Sequence, residues 1–117
     1  MASAIARARF LRIAPRKVRL VAGLIRGKTV AEARDILRFT PRNGGLALSK
    51  LLDSAAANAE NAAVERRERI DTDEMVVQRI QVNQGPVRKR FRPAPRGRGV
   101  RIRKRTTHVD ILISDVT

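Results

Sequence analysis

Gln84-Gly85-Pro86-Val87-Arg88-Lys89-Arg90-Phe91-Arg92-Pro93-Ala94-Pro95-Arg96-Gly97-Arg98-Gly99-Val100-Arg101-Ile102-Arg103-Lys104-Arg105 is the stretch on which the fold turns. Gly85-Pro86, Pro93-Ala94-Pro95 and Gly97-Arg98-Gly99 are turn signals, so no helix runs through it. It carries Lys or Arg at ten positions, no acid, and almost no apolar side chain from which to build a core. Upstream, Met75 to Asn83 alternates, with Met75, Val77 and Arg79 opposed to Val76, Gln78, Ile80 and Val82. Downstream, Val109, Ile111 and Ile113 oppose His108, Asp110, Leu112 and Ser114. Two strands joined by a basic run rich in breakers predict one long β-hairpin, with its tip near Pro93 to Gly99. Each arm of about ten residues spans roughly 30 Å at ~3.3 Å per residue. A globule of this size has a radius of gyration of only ~13 Å, so the hairpin should project beyond the body. A lone two-stranded ribbon is marginal in water and is expected to become ordered against a partner.

The charge of the whole chain says what kind of partner. Lys plus Arg number 26 and Asp plus Glu 11 in 117 residues, a net +15, which points to a polyanion. Residues 1–50 hold only Glu32 and Asp35 as acids, whereas acids at 53, 60, 65, 68, 71, 73 and 74 gather in the middle of the chain. Arg dominates the basic run, and its planar fork suits bidentate phosphate contacts. With no Cys and only His108, disulfide scaffolds, Cys-ligated zinc and His or Cys catalytic pairs are excluded, and neither a metal nor a cofactor is expected. No apolar run approaches the ~18 residues of a membrane span. Met1 to Phe10 alternates Ala with Arg and is not a secretory signal. A hydrophobic content of 43% is enough for a core, so a soluble, intracellular protein of one domain is expected.

The rest of the chain reads as a body for this hairpin. Ser3 to Ile13 alternates imperfectly as a short strand, with Ile5, Leu11 and Ile13 set against Arg7, Arg9 and Arg12. Pro15 fits the first helical position, and Val18, Val21, Ala22 and Ile25 form one buried stripe that Gly27 closes. Thr29-Val30-Ala31-Glu32 has the spacing of a capping box for a second helix, Val30 to Phe39, burying Val30, Ala33, Ile36 and Leu37. Thr40-Pro41 repeats a helix start, and a third helix should reach about Ala62 through Leu48, Leu51, Leu52, Ala55, Ala59 and Ala62. Val64 to Asp73 is polar and reads as a surface loop, and the Asp73-Glu74 pair as a solvated turn. The body then comprises residues 1–83 and 106–117, and the hairpin 84–105.

These residues resemble a known family, the bacterial large ribosomal subunit protein twenty-two. The matching stretches are Ala14 to Val21, Leu24 to Lys28, Ser54-Ala55, Asn58 to Asn61, Gly85-Pro86, Lys104 to His108 and Ile111 to Asp115, in order along nearly the whole chain. The resemblance implies an α+β fold, with three helices packed on a small three-stranded antiparallel sheet and an extended Arg-rich hairpin. It also implies a structural constituent of the large subunit that binds ribosomal RNA and supports assembly, with its hairpin tip in the wall of the polypeptide exit tunnel. Neighbouring ribosomal proteins and the nascent polypeptide near the tip are the implied protein partners; no homo-oligomer is expected. The implied location is the cytoplasmic ribosome, with an organellar ribosome left open as the alternative. Where the family often has Ser or Thr, this chain has Ala14, which leaves the first helix without a side-chain cap.

Candidate RNA contacts are Arg16, Lys17, Arg19, Arg26 and Lys28 on the body, and Arg88, Lys89, Arg90, Arg92, Arg96, Arg98, Arg101, Arg103, Lys104, Arg105, Thr106 and His108 on the hairpin and its base. The tunnel-lining tip implied by the resemblance is Arg88, Lys89, Arg90, Phe91, Arg92, Pro93, Arg96 and Gly97. With three Phe and no Tyr or Trp, stacking of unpaired bases on an aromatic sheet is disfavoured, and reading of RNA backbone and shape is favoured. Gly97-x-Gly99 lacks the strand, loop and helix setting of a nucleotide cradle. No catalytic constellation is present in the sequence, and no enzyme is expected. A DNA-binding helix-turn-helix over Val18 to Phe39 would expose Glu32 and Asp35 to phosphate. An organellar import segment is opposed by Pro15, which breaks the required amphipathic helix.

Overall fold

The computed structural model describes residues 3–40, 43–93 and 99–115. Strand β1 (Ser3–Leu11) leads into α1 (Pro15–Ile25), α2 (Val30–Arg38) and α3 (Asn43–Glu65). A 3-10 turn at Thr72–Glu74 follows, then β2 (Val76–Pro93) and β3 (Gly99–Ser114). The sheet is antiparallel in the order β1-β3-β2. This is the α+β architecture that the sequence implied.

The central strand carries the core. Val109, Ile111 and Ile113 are fully buried, facing Leu48, Leu52, Val18, Val21 and Ile25 within one apolar cluster. Ser114, read as outward-facing, is buried as well. The helix stripes follow from local chemistry. Pro15 opens α1 with Ala14 supplying no side-chain cap, and Gly27 takes φ +80°, where a Cβ would strain the backbone. Thr29 Oγ1 accepts the Glu32 amide at 3.2 Å, which is one half of the expected capping box. The Thr40 hydroxyl donates to the Ile36 carbonyl at the end of α2, while Pro41, the other half of the expected helix start, lies outside the described residues. Helix α3 runs on to Glu65, and its buried stripe continues through Ala59 to Ala63, leaving Ala62 only half-buried. Gly44 and Gly45 serve packing, since a Cβ would sit 3.4 Å from Val21 Cγ2 at one and 3.4 Å from the Leu37 carbonyl at the other.

Two phase shifts overturn the strand faces read from alternation. On β1, Ala4 and Ala6 point inward and Ile5 is 45% exposed, because the alanine-rich part of α3 lies against this strand and leaves room only for small side chains. Ala8 pairs with Val109 but Leu11 with Thr107, so an extra residue near Phe10 (φ 59°) swings Leu11 and Ile13 back toward the core. On β2, Val77 pairs with Ile113 and Arg79 with Leu112. The bulge at Gln78 leaves Met75 and Val77 buried, then Ile80 and Val82, with Arg79 exposed.

Beyond the body the ladder continues from Val87↔Arg105 to Pro93↔Gly99, after β1 has ended opposite Thr107. The molecule measures 66 × 27 × 17 Å along its principal axes. Residues 94–98, which contain the expected tip positions Arg96 and Gly97 and the candidate contact Arg98, lie outside the described residues.

Candidate nucleic-acid interface

The candidate cations fall into two groups. Arg16, Lys17, Arg19, Arg26 and Lys28 are all exposed on or just after α1. Arg19 and Arg26 also do structural work that the sequence did not reveal. Strand β2 is a sheet edge, and its outward carbonyls need partners. The Arg19 Nη2 donates to the Val82 carbonyl at 3.2 Å, and the Arg26 Nη2 to the Ile80 carbonyl at 3.0 Å. Both guanidiniums flank an open cleft of about 400 Å³ whose floor is Ile80 to Asn83. Each retains N–H groups of its five-donor fork for an acceptor in that cleft. Only a tertiary neighbour could show this pairing, since nothing in the local spacing of α1 encodes it.

The second group lies on the ribbon. Arg88, Lys89, Arg90 and Arg92 occupy β2 opposite Lys104, Arg103, Ile102 and Val100, while Arg101 pairs with Phe91 and Arg105 with Val87. The ladder therefore sets a cation opposite a cation at Arg88↔Lys104 and Lys89↔Arg103, with no acid in either strand segment. Like charges placed this close repel unless an external anion neutralises them.

A built joint connects ribbon to body. Gln84 pairs with Thr107 and Val87 with Arg105, so Gly85-Pro86 bulges out opposite Thr106. Thr106 is buried and its hydroxyl donates to the Pro86 carbonyl at 2.6 Å. A Cβ on Gly85 would meet Thr106 Oγ1 at 2.5 Å and the His108 ring at 3.1 Å. His108 is half-buried; its Nδ1 accepts the Phe10 amide at 3.0 Å and its ring meets Phe10 edge-on, with centroids 4.9 Å apart. Its neighbour Thr107 donates its hydroxyl to the Ile13 carbonyl. Thr106 and His108 thus fix the base of the hairpin, a role that needed the β1 bulge to be seen.

Part of the acid content is held in ion pairs within the body. Arg34 donates to Asp53 at 3.1 Å and to Asp73 at 2.9 Å, joining α2, α3 and the 3-10 turn, so Asp73 is not simply solvated. Among the described residues no group of His, Cys, Asp or Glu could hold a metal ion, and no helix is long and apolar enough to cross a membrane.

Comparison with known proteins gives the family. The family model described as ribosomal protein L22p/L17e matches residues 6–114. The chain belongs to the ribosomal protein L22p/L17e family. A large ribosomal subunit protein uL22 from Pediococcus pentosaceus is 48% identical over 113 residues, covering 97% of this chain and 92% of the relative. Its counterparts from Maridesulfovibrio salexigens and Syntrophotalea carbinolica are 47% and 44% identical, over 93% and 94% of this chain and 94% and 96% of theirs. L22p/L17e proteins are structural ribosomal constituents, so this chain is a ribosomal protein and not an enzyme.

Proposed function

We propose that this L22p/L17e chain anchors its body on large-subunit ribosomal RNA and threads its hairpin into the RNA, supporting assembly and contributing its tip to the wall of the polypeptide exit tunnel. The observation that carries the reading is the ribbon from Val87↔Arg105 to Pro93↔Gly99, which leaves the sheet behind and aligns cations without acids. Such a ribbon is stabilised by phosphates around it, and each one neutralised releases condensed counterions. In this reading the body and hairpin form one domain with two tasks. Arg16, Lys17, Arg19, Arg26 and Lys28 hold the RNA surface, and Arg88 to Arg105 fill the interior. Thr106 and His108 sit where the two meet. Neighbouring ribosomal proteins and, at the tip, the nascent polypeptide are its protein partners, and it works as a single copy in the cytoplasmic ribosome.

The test is competition between large-subunit RNA fragments and duplex DNA for the purified chain at several salt concentrations, together with co-sedimentation with large subunits. Preference for the structured RNA, with affinity falling steeply as salt rises, is the expected result. Equal or tighter binding to duplex DNA would support a helix-turn-helix reading instead. That alternative is disfavoured because Glu32 lies in the first turn of α2, the end that would enter the groove.

A further inference from the structure

Phosphate contacts by cations leave half of the outer face of α1 unexplained. At 3.6 residues per turn, the solvent side of this helix consists of two neighbouring rows. Arg16, Leu20 and Leu24 form one, at i, i+4 and i+8; Arg19 and Gly23 form the other, which Arg26 continues at the end of the helix. Leu20 is 57% exposed and Leu24 47%, on a helix that buries Val18, Val21, Ala22 and Ile25 on its other side. Gly23 is exposed beside them, and nothing lies within 4 Å of where its Cβ would stand, so the middle of this face is low and open. The row of arginines is fixed. Arg19 and Arg26 are held on the carbonyls of Val82 and Ile80, two residues apart on one strand, or about 6.6 Å at ~3.3 Å per residue.

No acid lies anywhere on α1, so a cationic polypeptide is repelled and a phosphate backbone is drawn in. The partner that fits sets phosphates beside apolar groups. A sugar–phosphate backbone does so, because each ribose presents C–H groups between two phosphates. Leucine has no π-face, so this row is unsuited to stacking an unpaired base. The wide, shallow minor groove of an A-form RNA helix displays riboses and their 2′-hydroxyls to such a face. A helix of ~10–12 Å diameter is too broad for the ~6 Å minor groove of B-form DNA.

We propose that α1 lies against the minor groove of a double-helical segment of ribosomal RNA, with Leu20 and Leu24 on riboses and Arg19 and Arg26 on phosphates of one strand. The inference rests on the ribosomal RNA reading above, and adds the form of RNA that is bound and an apolar half of the contact. Gly23 lets the groove approach the helix backbone between the two rows.

The experiment is hydroxyl-radical footprinting, which reads ribose exposure, on large-subunit ribosomal RNA bound by the full chain. The wild type is compared with the double variant Leu20→Ala, Leu24→Ala, and affinities are measured at several salt concentrations. The wild type should protect riboses on both strands of one RNA helix, facing each other across its minor groove. The double variant should lose those protections and bind roughly tenfold more weakly. Its log–log salt slope should equal that of the wild type, because no charge has been removed. Its thermal midpoint as a free chain should stay nearly unchanged, since both side chains are exposed, so weaker binding would not reflect unfolding. A footprint and affinity unchanged in the double variant would overturn the proposal and assign the leucines to a protein neighbour. Protections confined to unpaired nucleotides would overturn it as well. A wild-type chain that protects no large-subunit RNA at low salt would instead overturn the RNA reading on which the proposal stands.

Discussion

Gly85 has no room for a side chain, and its neighbours are not free to move. Thr106 is tied to the Pro86 carbonyl and His108 to the Phe10 amide, so a methyl group at Gly85 would force one of these bonds apart. Gly85→Ala should therefore cost about 1–3 kcal/mol in urea unfolding, the range for overpacking a fitted site. Thr106→Val removes the hydroxyl donor but keeps the shape, and should cost about 1 kcal/mol. Arg34 lies at the other end of this scale. Its two ion pairs are with Asp53 and Asp73, whose side chains are 62% and 59% exposed, so Asp73→Asn should change stability by less than ~1 kcal/mol.

Helix α3 packs on β1 through small side chains, with Ala55, Ala59 and Ala63 buried on one and Ala4 and Ala6 on the other. Ala59→Leu should push them apart and lower stability by about 1–3 kcal/mol, seen as an earlier midpoint with an unchanged denaturant slope. Asn58 sits among these alanines and donates to the Ile5 carbonyl at 3.0 Å, as Arg19 and Arg26 donate to β2, so both sheet edges are partly covered by side chains from helices. The helices were legible because their signals are local: Pro15, Gly27 and Thr29 stand where the chain starts or stops turning. The strand faces were only partly legible. An alanine-lined face looks polar next to Ile5, and a bulge at Phe10 or Gln78 reverses the phase without changing composition. The edge-covering roles of Arg19, Arg26 and Asn58 were hidden because their partners lie 53 or more residues away.

At the scale of the molecule, the account divides labour between a body that folds by burying its own core and a ribbon that depends on RNA. Replacing Arg88, Lys89 and Arg90 together with Ala should leave the thermal midpoint of the free body nearly unchanged. The same variant should bind large-subunit RNA with a log–log salt slope shallower by about 2–3, because each lost phosphate contact removes close to one unit. The hairpin and its charge were legible from breakers and basic residues, since no core could form there; the joint at Gly85, Thr106, His108 and Phe10 was not, because it assembles from three strands. The most direct measurement is amide hydrogen exchange on the free chain and on the same chain within assembled large subunits. The expected result is slow exchange at Val109 to Ile113 in both samples, and slow exchange across residues 87–93 and 99–104 only in the particle. A ribbon equally protected in the free chain would contradict the claim that nucleic acid holds it in place.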